Sequence, residues 1–402
     1  MAVIHTTKQH ESGIALGGIG SGSVELFPDG EFHRWQIANE PRWAERSDGR
    51  HVDDGEGSTG ALSFWVRSED GEKVIVRKLG MKTNADDFTY RMFTWNKPVE
   101  GITFDGKFPV CDVTYEDSAL PVNVKMRAVS PFVPHHTDDS ATPGFYLDFT
   151  IENPTDRTIT ASLLSSLEPS FCNNGGCVNE SYTDGDVCGI FIDTPKVYPW
   201  EEGFNERNRG SLCYSVEGGE ISYITAENFR FLREYVASSD LGVSQESFLF
   251  GFRETGELPN TDAGVRPRSI PNDVSELKDE AVDGYVSEMS RYPFALSLLK
   301  RVRHLKPEYP ETRAEKEEFL NACRSSFRRM GNDFGSCALC GKVVLAPKET
   351  KKVRFILTWF FPNHFGEYHN RLGHYYENLF ENAKDANLHL SRRRSDIEEK
   401  AE

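Results

Sequence analysis

Glycines near the start of the chain are the first residues whose spacing suggests chemistry. In the stretch GIALGGIGSGSVELFPDGEFHRWQI, residues 13–37, five glycines fall within the first ten positions. A dinucleotide-binding loop needs G-x-G-x-x-G between a strand and a helix, and a phosphate-binding loop needs Gly-Lys-Ser/Thr. Here Gly18, Gly20 and Gly22 are spaced by two and precede a strand-turn-strand pattern. The stretch therefore predicts close backbone packing and positive φ angles, with phosphate binding the weaker interpretation.

A Cys-x-x-Cys pair, Cys337 and Cys340, raises the question of a zinc or redox site. A structural zinc site needs four ligands, and neither Cys323 nor the pair Cys172 and Cys177 stands at a matching spacing. A redox motif would come with a thioredoxin-like pattern, which the surrounding sequence lacks. Because Cys337 and Cys340 lie in a strand-like run, the sequence predicts buried thiols there. For Cys172 and Cys177, a small disulfide-closed loop stays open as an alternative.

Histidines could also bind a metal, and two groups of them stand out. His135 and His136 are adjacent, so in a strand their side chains would point to opposite faces. His364, His369 and His374 recur every five residues, a spacing that places them on no single helix face. The sequence therefore predicts no metal site, and solvated or core histidines instead.

Paired carboxylates would be needed for glycoside cleavage, because that reaction uses two facing acids. The chain has 63 acidic residues, but no pair of them is marked out by its local context. Asp138 and Asp139 are better explained as a turn that binds its own backbone N–H groups. A serine nucleophile elbow is also missing. The sequence predicts no catalytic residue and no cofactor.

The composition and net charge of the chain restrict the kinds of partner that it can bind. The chain has 402 residues, 38% apolar residues, 12% aromatic residues and a net charge of −17. This apolar content can build a large core, and the negative charge disfavours nucleic acids and anionic membranes as partners. The N-terminus has no apolar region typical of a signal peptide, and the longest apolar run, Phe355–Phe361, is too short to span a membrane. We therefore expect a cytoplasmic protein with mostly free thiols and no transmembrane segment.

The elements that must position these residues are mostly strands. Between residues 61 and 252, β-branched and aromatic segments alternate with turn signals: ALSFWVR, KVIVRKL, FTYRMFTW, VNVKMRAV, GFYLDFTI and TITASLLSSL. Many short strands with regular turns predict a mainly β fold, a large antiparallel β-sandwich of the supersandwich type. The strand-helix alternation of a dinucleotide-binding fold is missing.

Two helical regions interrupt or follow the strands. A helical insert is predicted at about residues 275–330, where Thr312 and Glu315 form a possible capping box. The chain returns to strands at ALCGKVVLA and KKVRFILTWFF, and a last helix is expected from about residue 368 to residue 390. Its apolar stripe consists of Tyr376, Phe380, Ala383 and Leu390. The following segment, SRRRSDIEEKAE, is expected to be polar and frayed.

Several ordered motifs resemble the N-terminal domain of glycoside hydrolase family 116, which includes bile-acid β-glucosidases and non-lysosomal glucosylceramidases. The motifs are Leu-Gly-Gly-Ile-Gly at 16–20, Gly-x-Phe at 30–32, Arg-Trp-Gln at 34–36, Tyr-x-Asp at 115–117, Leu-Pro at 120–121, Ser-Pro-Phe-x-Pro at 130–134 and Asp-Ser at 139–140. The segment VRFILTWFFP resembles the closing strand of that domain, with Phe360 where the family has Asp. The insert departs from the pattern.

The resemblance implies a particular domain organisation. Residues 1–365 would form the family's N-terminal β-sandwich, and residues 366–402 would form a linker helix that leads toward an (α/α) barrel. In the family the barrel carries the Glu nucleophile and the Asp acid/base of a retaining β-glucosidase. No residue of this chain matches either acid, so none is assigned a catalytic role. The barrel is then expected as a separately encoded partner, or is missing.

The resemblance also implies candidate site residues. Gly18, Gly20, Arg34, Trp35 and Gln36 are expected to face the barrel or to line a sugar pocket, although burial of Trp35 in the sandwich is the stronger alternative. We expect the Arg34 guanidinium to be buried against carboxylate or carbonyl groups.

The last helix is expected to have a partly uncovered stripe, formed by Tyr376, Phe380, Ala383 and Leu390. This stripe would either dock the barrel or mediate self-association. Three functions follow: a non-catalytic domain of a β-glucosidase, a free-standing carbohydrate-binding or protein-interaction module, or a hydrolase that uses an unrecognised acid pair. The resemblance makes a β-glucoside a candidate ligand, but the sequence does not specify the sugar or the aglycone.

Overall fold

Two large sheets and one small sheet make up the part of the chain that can be described. The computed structural model describes residues 3–8, 10, 12–39, 62–71, 73–81, 97–167, 178–193, 209–225, 248–262, 337–366 and 370–401. Several predicted features lie outside these residues: the strand FTYRMFTW, the helical insert at 275–330, Cys172, Cys177, Cys323 and His369.

The first sheet has nine strands. In spatial order they are β1 (Ile4–Thr6), β8 (Gly101–Lys107), β9 (Val110–Glu116), β10 (Asn123–Val129), β11 (Gly144–Glu152), β19 (Thr350–Phe360), β15 (Ser211–Glu217), β14 (Val187–Asp193) and β13 (Val178–Asp184). All neighbours in this sheet are antiparallel. β19 is the sixth strand of this order and lies between β11 and β15, so a strand from late in the sequence occupies the interior of the sheet.

The second sheet has seven strands and the third has three. The seven are β17 (Thr261–Asp262), β16 (Glu220–Thr225), β18 (Cys337–Leu345), β12 (Ile159–Leu167), β5 (Leu62–Asp70), β6 (Lys73–Lys78) and β7 (Lys97–Pro98). The small sheet contains β2 (Ile14–Leu16), β3 (Ser23–Leu26) and β4 (Phe32–Gln36). The mainly β, antiparallel sandwich predicted from the sequence is confirmed.

Alternation along the strands explains why one face of each sheet is buried. In β9, Cys111, Val113 and Tyr115 are buried, while Asp112, between the first two, and Glu116, after Tyr115, are exposed. The side-chain period of two directs one set of residues into the core and the other set toward solvent. The half-buried strands expected from the sequence pattern are therefore present at this position.

Aromatic rings join the inner faces of the two large sheets. The Phe64 ring on β5 lies 4.8 Å from Phe149 on β11 and 5.3 Å from Phe355 on β19, measured between ring centroids. Tyr214 on β15 stacks on Phe355 at 5.8 Å. All four residues are at most 2% exposed. Tilted and edge-to-face contacts of this kind add stability beyond the burial of their area.

A short helix covers the outer face of the seven-stranded sheet. This helix, α2 (Phe248–Thr255), buries Phe252 against the sheet. The guanidinium of Arg67, which is 1% exposed, donates from Nε to the carbonyl of Arg253 at 2.8 Å and from Nη2 to that of Glu254 at 3.1 Å. A buried cation at a helix C-terminus satisfies carbonyls that would otherwise have no partner. The helix therefore depends on a side chain nearly two hundred residues away.

The last helix differs from its prediction at both ends. It extends over Ala383–Ala401, not from about residue 368 to residue 390. The Asn382 side chain accepts a hydrogen bond from the backbone N–H of Asp385 at 3.0 Å, which caps the true start. Residues Tyr375–Asn378 form a separate 3-10 turn. Tyr376 and Phe380 therefore precede this helix, named α3 here.

The polar end of α3 is ordered because its arginines find carboxylates on other elements. Arg392 pairs with Asp184 of β13 at 2.9 Å, and Arg394 pairs with Glu217 of β15 at 2.6 Å. Arg393 pairs at 3.1 Å with Asp139, a buried residue of the short helix α1 (Thr137–Ser140). The expectation of a frayed tail is wrong since three consecutive arginines are held by three different elements.

The apolar stripe expected to be uncovered is in fact covered by the chain's own sheet. Tyr376 is 1% exposed, Phe380 7%, Ala383 0% and Leu390 0%. Leu390 packs with Ile356 and Tyr146 on the outer face of the nine-stranded sheet. The prediction of an open stripe is therefore wrong for these side chains, because α3 lies against its own sandwich.

Asn387 is the residue that attaches α3 most directly to the sheet, and the sequence pattern did not reveal it. Its Nδ2 donates to the carbonyls of Cys213 at 3.3 Å and Ile356 at 3.1 Å. Its Oδ1 accepts from the hydroxyls of Ser215 at 2.7 Å and Tyr182 at 3.2 Å. Asn387 is fully buried, so each of these bonds is shielded from water.

We predict that Asn387→Ala destabilises the protein by roughly 1–3 kcal/mol, because it leaves buried carbonyls and hydroxyls without partners. Urea unfolding followed by circular dichroism measures the change. Lys400→Ala, at an exposed position of the same helix, is the matched control and should change the stability by less than about 0.5 kcal/mol. Equal effects of the two substitutions would contradict the assigned role of Asn387.

The thiols described by the structure are free and buried: Cys111, Cys188, Cys213, Cys337 and Cys340. The prediction of buried thiols at Cys337 and Cys340 is confirmed. Burial raises the pKa of Cys213 to about 12 and that of Cys340 to about 12. The thiolate, which is the reactive form, is therefore strongly disfavoured at both positions.

We predict that Cys213 and Cys340 resist iodoacetamide in the native protein at about pH 8, at rates at least ~100-fold below that of a free thiol. Peptide mass spectrometry after timed quenching measures each site. The denatured, unreduced protein should show near eight titratable thiols, one for each cysteine of the sequence. Fast native labelling of either residue would show that the strands around it open readily.

Candidate functional site

The glycine-rich turn packs against the middle of the sandwich. A Cβ atom on Gly17 would lie 2.9 Å from the ring of Trp359, and a Cβ on Gly18 would lie 2.3 Å from the carbonyl oxygen of Thr142. Gly20 differs, since a Cβ there would meet nothing within 4 Å although its φ is +71°. The expected roles, close backbone packing and positive φ, are both present. The turn is a structural element rather than a phosphate-binding loop followed by a helix.

A β-bulge in the small sheet shapes the Arg-Trp-Gln motif. Ser23 pairs with Gln36 and Glu25 pairs with His33, so β4 has one more residue than β3 between these pairs. Within the extra stretch, Arg34 adopts a φ of 45°. A non-glycine residue in this region is uncommon, costs on the order of 1–2 kcal/mol, and recurs at functional sites.

Arg34 is exposed, which corrects the expectation of a buried guanidinium. Its side chain is 43% exposed, and Nη1 pairs with Glu25 at 3.0 Å. The guanidinium also lies 5.5 Å from the ring centroid of Phe27. The bulge is the physical reason, because it turns Arg34 out of the alternation that would have directed it inward.

Of the other two residues of the Arg-Trp-Gln motif, Trp35 packs partly into the core and Gln36 lies on the surface. Trp35 is half-buried, packs against the main core and donates from Nε1 to the carbonyl of Phe32 at 3.3 Å. Gln36 is exposed. Of the five candidate residues, Gly20, Arg34 and Gln36 are therefore exposed, Trp35 is half-buried and Gly18 is buried.

Residues 361–366 and 370–378 lie beside the glycine-rich turn. Asn39 donates from Nδ2 to the carbonyl of Phe361 at 2.9 Å, and Nε2 of His374 lies 2.8 Å from Oδ1 of Asn39. The hydroxyl of Tyr375 donates to Asp138 at 2.7 Å, close to Ser140, whose carbonyl accepts from the backbone N–H of Ile19 at 2.6 Å. These contacts bring two distant parts of the chain to one edge of the fold.

Large apolar side chains are exposed at this edge. Ile19 is 58% exposed, Leu372 61% and Tyr375 48%. Together with the exposed Gly20 they are named the glycine-turn face. Exposed apolar side chains on neighbouring segments can contribute to an interaction surface. The face adjoins Asn39 and the end of β4, so it lies next to the Arg-Trp-Gln motif.

A row of alternating charges crosses the outer face of the nine-stranded sheet. Its members are neighbours on adjacent strands: Asp112 on β9, Arg127 on β10, Asp148 on β11, Arg354 on β19 and Glu217 on β15. Arg127 binds Asp112 through two hydrogen bonds of 2.8 and 3.2 Å. Opposite charges directly across strands stabilise the pairing of the sheet.

The most suggestive pair of acids borders a cavity of about 700 Å³ between this row and the end of α3. Burial and the neighbouring Asp148 raise the pKa of Glu398, as expected for a general acid. However, Asp148 is bound by Arg354 through two short hydrogen bonds, and Arg354 also binds Glu398 at 3.2 Å. A carboxylate held by a buried guanidinium is a poor nucleophile and a poor base, so the arrangement is explained by attachment of α3.

Metal ligation has no support in the described part of the chain. Among those residues, no group of three His, Cys, Asp or Glu side chains lies close enough to hold a metal ion. His364 and His374 do approach each other, with ring centroids 5.2 Å apart. Among the helices that the structure describes, none is long and apolar enough to cross a membrane.

Comparison with known families identifies the domain. Residues 13–273 and 311–394 match the family model described as "beta-glucosidase 2, glycosyl-hydrolase family 116 N-term". Because the match covers most of the chain, the chain belongs to glycoside hydrolase family 116, as its N-terminal domain. The resemblance seen in the sequence motifs is confirmed.

Solved structures add only a distant likeness. A polysaccharide lyase and a protein described as a kojibiose phosphorylase from the human microbiome match over 89% of this chain, with 8% and 9% identity and TM-scores of 0.32. The chain spans about a third of the length of each, 32% in both cases. No curated protein sequence matches the chain significantly. At such low similarity the two names say nothing about the substrate of this chain.

We predict that Gly18→Ala and Gly20→Ala separate the two roles of the glycine-rich turn. Gly18→Ala places a methyl group against fixed backbone and should cost on the order of 3 kcal/mol or more. Gly20→Ala has free space and should cost about 1 kcal/mol from its backbone conformation alone. Thermal and urea unfolding measure both. A larger loss for Gly20→Ala would contradict the packing described for this turn.

Proposed function

We propose that this chain is a non-catalytic β-sandwich of a β-glucosidase and that it supports a catalytic (α/α) barrel through the glycine-turn face. The observation that carries the proposal is the exposed, strained Arg34 next to this face, in a chain that belongs to family 116. Non-glycine residues in this backbone region recur at functional sites, and the side chain of Arg34 is exposed, so we infer that it faces the partner.

The form of the face supports this role. Ile19 stands on the glycine-rich turn, where its backbone N–H binds the carbonyl of Ser140, whereas Leu372 and Tyr375 stand on the neighbouring segment, where the hydroxyl of Tyr375 binds Asp138. A rigid surface loses little entropy on association, and apolar groups surrounded by polar ones are suited to a protein partner. The candidate partner surface is therefore this face, whereas the stripe of α3 is already buried.

Catalysis is assigned to the partner. Retaining glycoside cleavage needs two carboxyl groups about 5–5.5 Å apart on either side of the substrate bond. Asp148 and Glu398, the best candidate acids of the described residues, are occupied by Arg354. We expect β-glucoside hydrolysis only in the assembled protein, in a cytoplasmic setting that keeps the thiols reduced.

A second candidate is a free-standing carbohydrate-binding module. Trp35 favours it, because the side chain is half-buried and lies beside exposed polar residues, and an aromatic ring can support the apolar face of a sugar. Calorimetry of the isolated chain with methyl β-glucoside and cellobiose distinguishes the two functions. Binding that is lost in Trp35→Ala would favour the module.

The proposal predicts that Arg34→Ala weakens binding of a separately expressed family 116 (α/α) barrel by about tenfold or more, with less than about 1 kcal/mol lost from the stability of the chain. Arg127→Ala is the matched control, since Arg127 is equally exposed and forms a surface ion pair with Asp112 on another face. Calorimetric titration measures both variants.

Two results would overturn the proposal. One is an equal effect of Arg34→Ala and Arg127→Ala on barrel binding, including no binding at all. The other is hydrolysis of an aryl β-glucoside by the purified chain alone, which would assign the chemistry to this domain. Circular dichroism should confirm that each variant is folded before binding is compared.

A further inference from the structure

The outer face of the nine-stranded sheet changes from apolar to polar beside the end of α3. Under α3 lies an apolar row, in which Tyr146 and Ile356 pack against Leu390. The row of alternating charges comes next, and Arg354 within it binds Glu398 of α3 at 3.2 Å. The cavity of about 700 Å³ adjoins this charged row. The helix therefore leaves a polar part of the sheet open to a ligand.

The floor of the cavity is a second polar row, two residues away from the charged row on each strand. It consists of Thr114 on β9, Lys125 on β10, Thr150 on β11 and Lys352 on β19, which are direct cross-strand neighbours. Neighbouring strands lie about 4.8 Å apart, so the row extends over roughly 14 Å. Threonine and lysine alternate along it, which places a hydroxyl between two ammonium groups.

One wall of the cavity is the last part of α3. Ser395, Glu398 and Glu399 line it, and their spacing of three and four residues places them on one side of the helix. Ile397, which lies between them in the sequence, is buried against the sheet. The wall therefore adds one hydroxyl and two carboxyl groups to the groups of the floor. The space between this floor and this wall is named the polar groove.

Six side chains of the polar groove are free to bind a ligand, since none of them forms a hydrogen bond or an ion pair with another described residue. They are Thr114, Lys125, Thr150, Lys352, Ser395 and Glu399. The remaining charged groups are engaged with one another, because Arg127 holds Asp112 and Arg354 holds both Asp148 and Glu398. The engaged groups fix the sheet face and the end of α3, between which the free groups lie.

The balance of charge restricts the ligands that the polar groove can accept. Its lining contains four carboxyl groups and three cations: Asp112, Asp148, Glu398, Glu399, Lys125, Arg127 and Lys352. Arg354, which binds two of these carboxyl groups, brings the cations to four as well. A strongly charged ligand would meet groups of its own sign beside those of the opposite sign, which costs free energy.

An apolar ligand is disfavoured too. Val113 and Met126 border the cavity, but both are only 1% exposed because their side chains point into the core. A ligand in the groove therefore covers little apolar surface and gains little from the hydrophobic effect. The ligand that uses such a lining fully is neutral and has many hydroxyl groups, since it can accept from the lysines and donate to the carboxylates.

We propose that the polar groove binds a neutral oligosaccharide. Lys125 and Lys352 donate to sugar oxygens, Glu399 accepts from sugar hydroxyls, and Thr114 and Thr150 can do both. Hydrogen bonds to charged groups are stronger than those between neutral ones. The volume of about 700 Å³ is within the range of small-molecule sites, and the length of the floor suits about two or three sugar units. The polar groove shares no residue with the glycine-turn face, so this inference does not rest on the proposed function.

Calorimetric titration of the full chain with cellotriose, laminaritriose and maltotriose tests the polar groove. We expect at least one of them to bind with a Kd on the order of 1 mM or tighter. Lys125→Met keeps the apolar stem and Thr150→Val keeps the shape, and each should weaken binding by about fivefold or more. Lys73→Met, at an exposed position of β6 in the other large sheet, is the matched control and should leave the affinity unchanged.

Acetylation of lysines locates the bound saccharide. With the saccharide at about ten times its Kd, Lys125 and Lys352 should be acetylated about threefold or more slowly than in its absence. Lys73 should react at the same rate in both cases. Peptide mass spectrometry after timed quenching measures each lysine. Equal rates at Lys125 and Lys352 with and without the saccharide would place the ligand elsewhere and overturn the proposal.

The titration can overturn the proposal in three ways. The first is that none of the three saccharides binds at up to about 10 mM. The second is an affinity that is unchanged in Lys125→Met and Thr150→Val, and loss of binding in Trp35→Ala would then favour the carbohydrate-binding module. The third is binding of inorganic phosphate or glucose 6-phosphate without any neutral saccharide, which would make the groove an anion site.

Controls for folding keep these outcomes distinct. Circular dichroism should show that each variant is folded, and if Thr150→Val is not, Lys125→Met and the acetylation rates decide the question. Trp35→Ala should retain the affinity of the wild type for the saccharide. Failure of the barrel to bind would overturn the proposed function and leave the result for the polar groove standing.

Discussion

The contact between Trp359 and the glycine-rich turn is the constraint on which the position of the candidate site depends. The fully buried indole donates from Nε1 to the carbonyl of Ser21 at 2.6 Å. Its ring occupies the space that a side chain at Gly17 would need. Trp359 belongs to β19, an interior strand of the nine-stranded sheet, so the turn is attached to the middle part of the sandwich. Ile14, Leu16 and Phe32 of the small sheet join the same core cluster, so the contact acts together with their burial.

The same strand organises the opposite face of the sheet. Phe355 and Trp359 of β19 point into the core, whereas Arg354, Ile356 and Thr358 lie under α3. Thr358 donates to the carbonyl of Ala383 at 2.7 Å, at the first residue of α3. Arg354 binds Glu398 near its last turn. Because the strand has a side-chain period of two, one eleven-residue element both supports the candidate site and holds the C-terminal helix.

Much of the sandwich could be predicted because its signal is local. Alternation in β9 and β10, turn residues and the lack of strand-helix alternation each depend on neighbouring residues only. The start of α3 was missed because Tyr376 and Phe380 continue its apolar spacing while they lie in a turn of their own. Its ordered end depends on acids far away in the sequence, such as Asp184 and Glu217. A single sequence contains no signal for such pairings.

In the candidate site, too, some features could be predicted from the sequence and others could not. The glycines could be predicted to pack closely, since glycine is the residue that permits close approach of two backbones. The outward turn of Arg34 could not, because it results from a one-residue mismatch between β3 and β4. His374 was examined as a metal ligand on the basis of its spacing, yet its neighbours Asn39 and Gly20 come from the other end of the chain.

The contacts of the glycine-turn face differ in chemical kind, and this difference governs what the face can do. On the side of the core, Gly17, Gly18 and Trp359 meet through close packing and a buried hydrogen bond, which do not respond to pH. On the side of solvent, Gly20 and Asn39 are joined through the ring of His374. The face therefore combines close packing on its core side with side-chain hydrogen bonds on its exposed side.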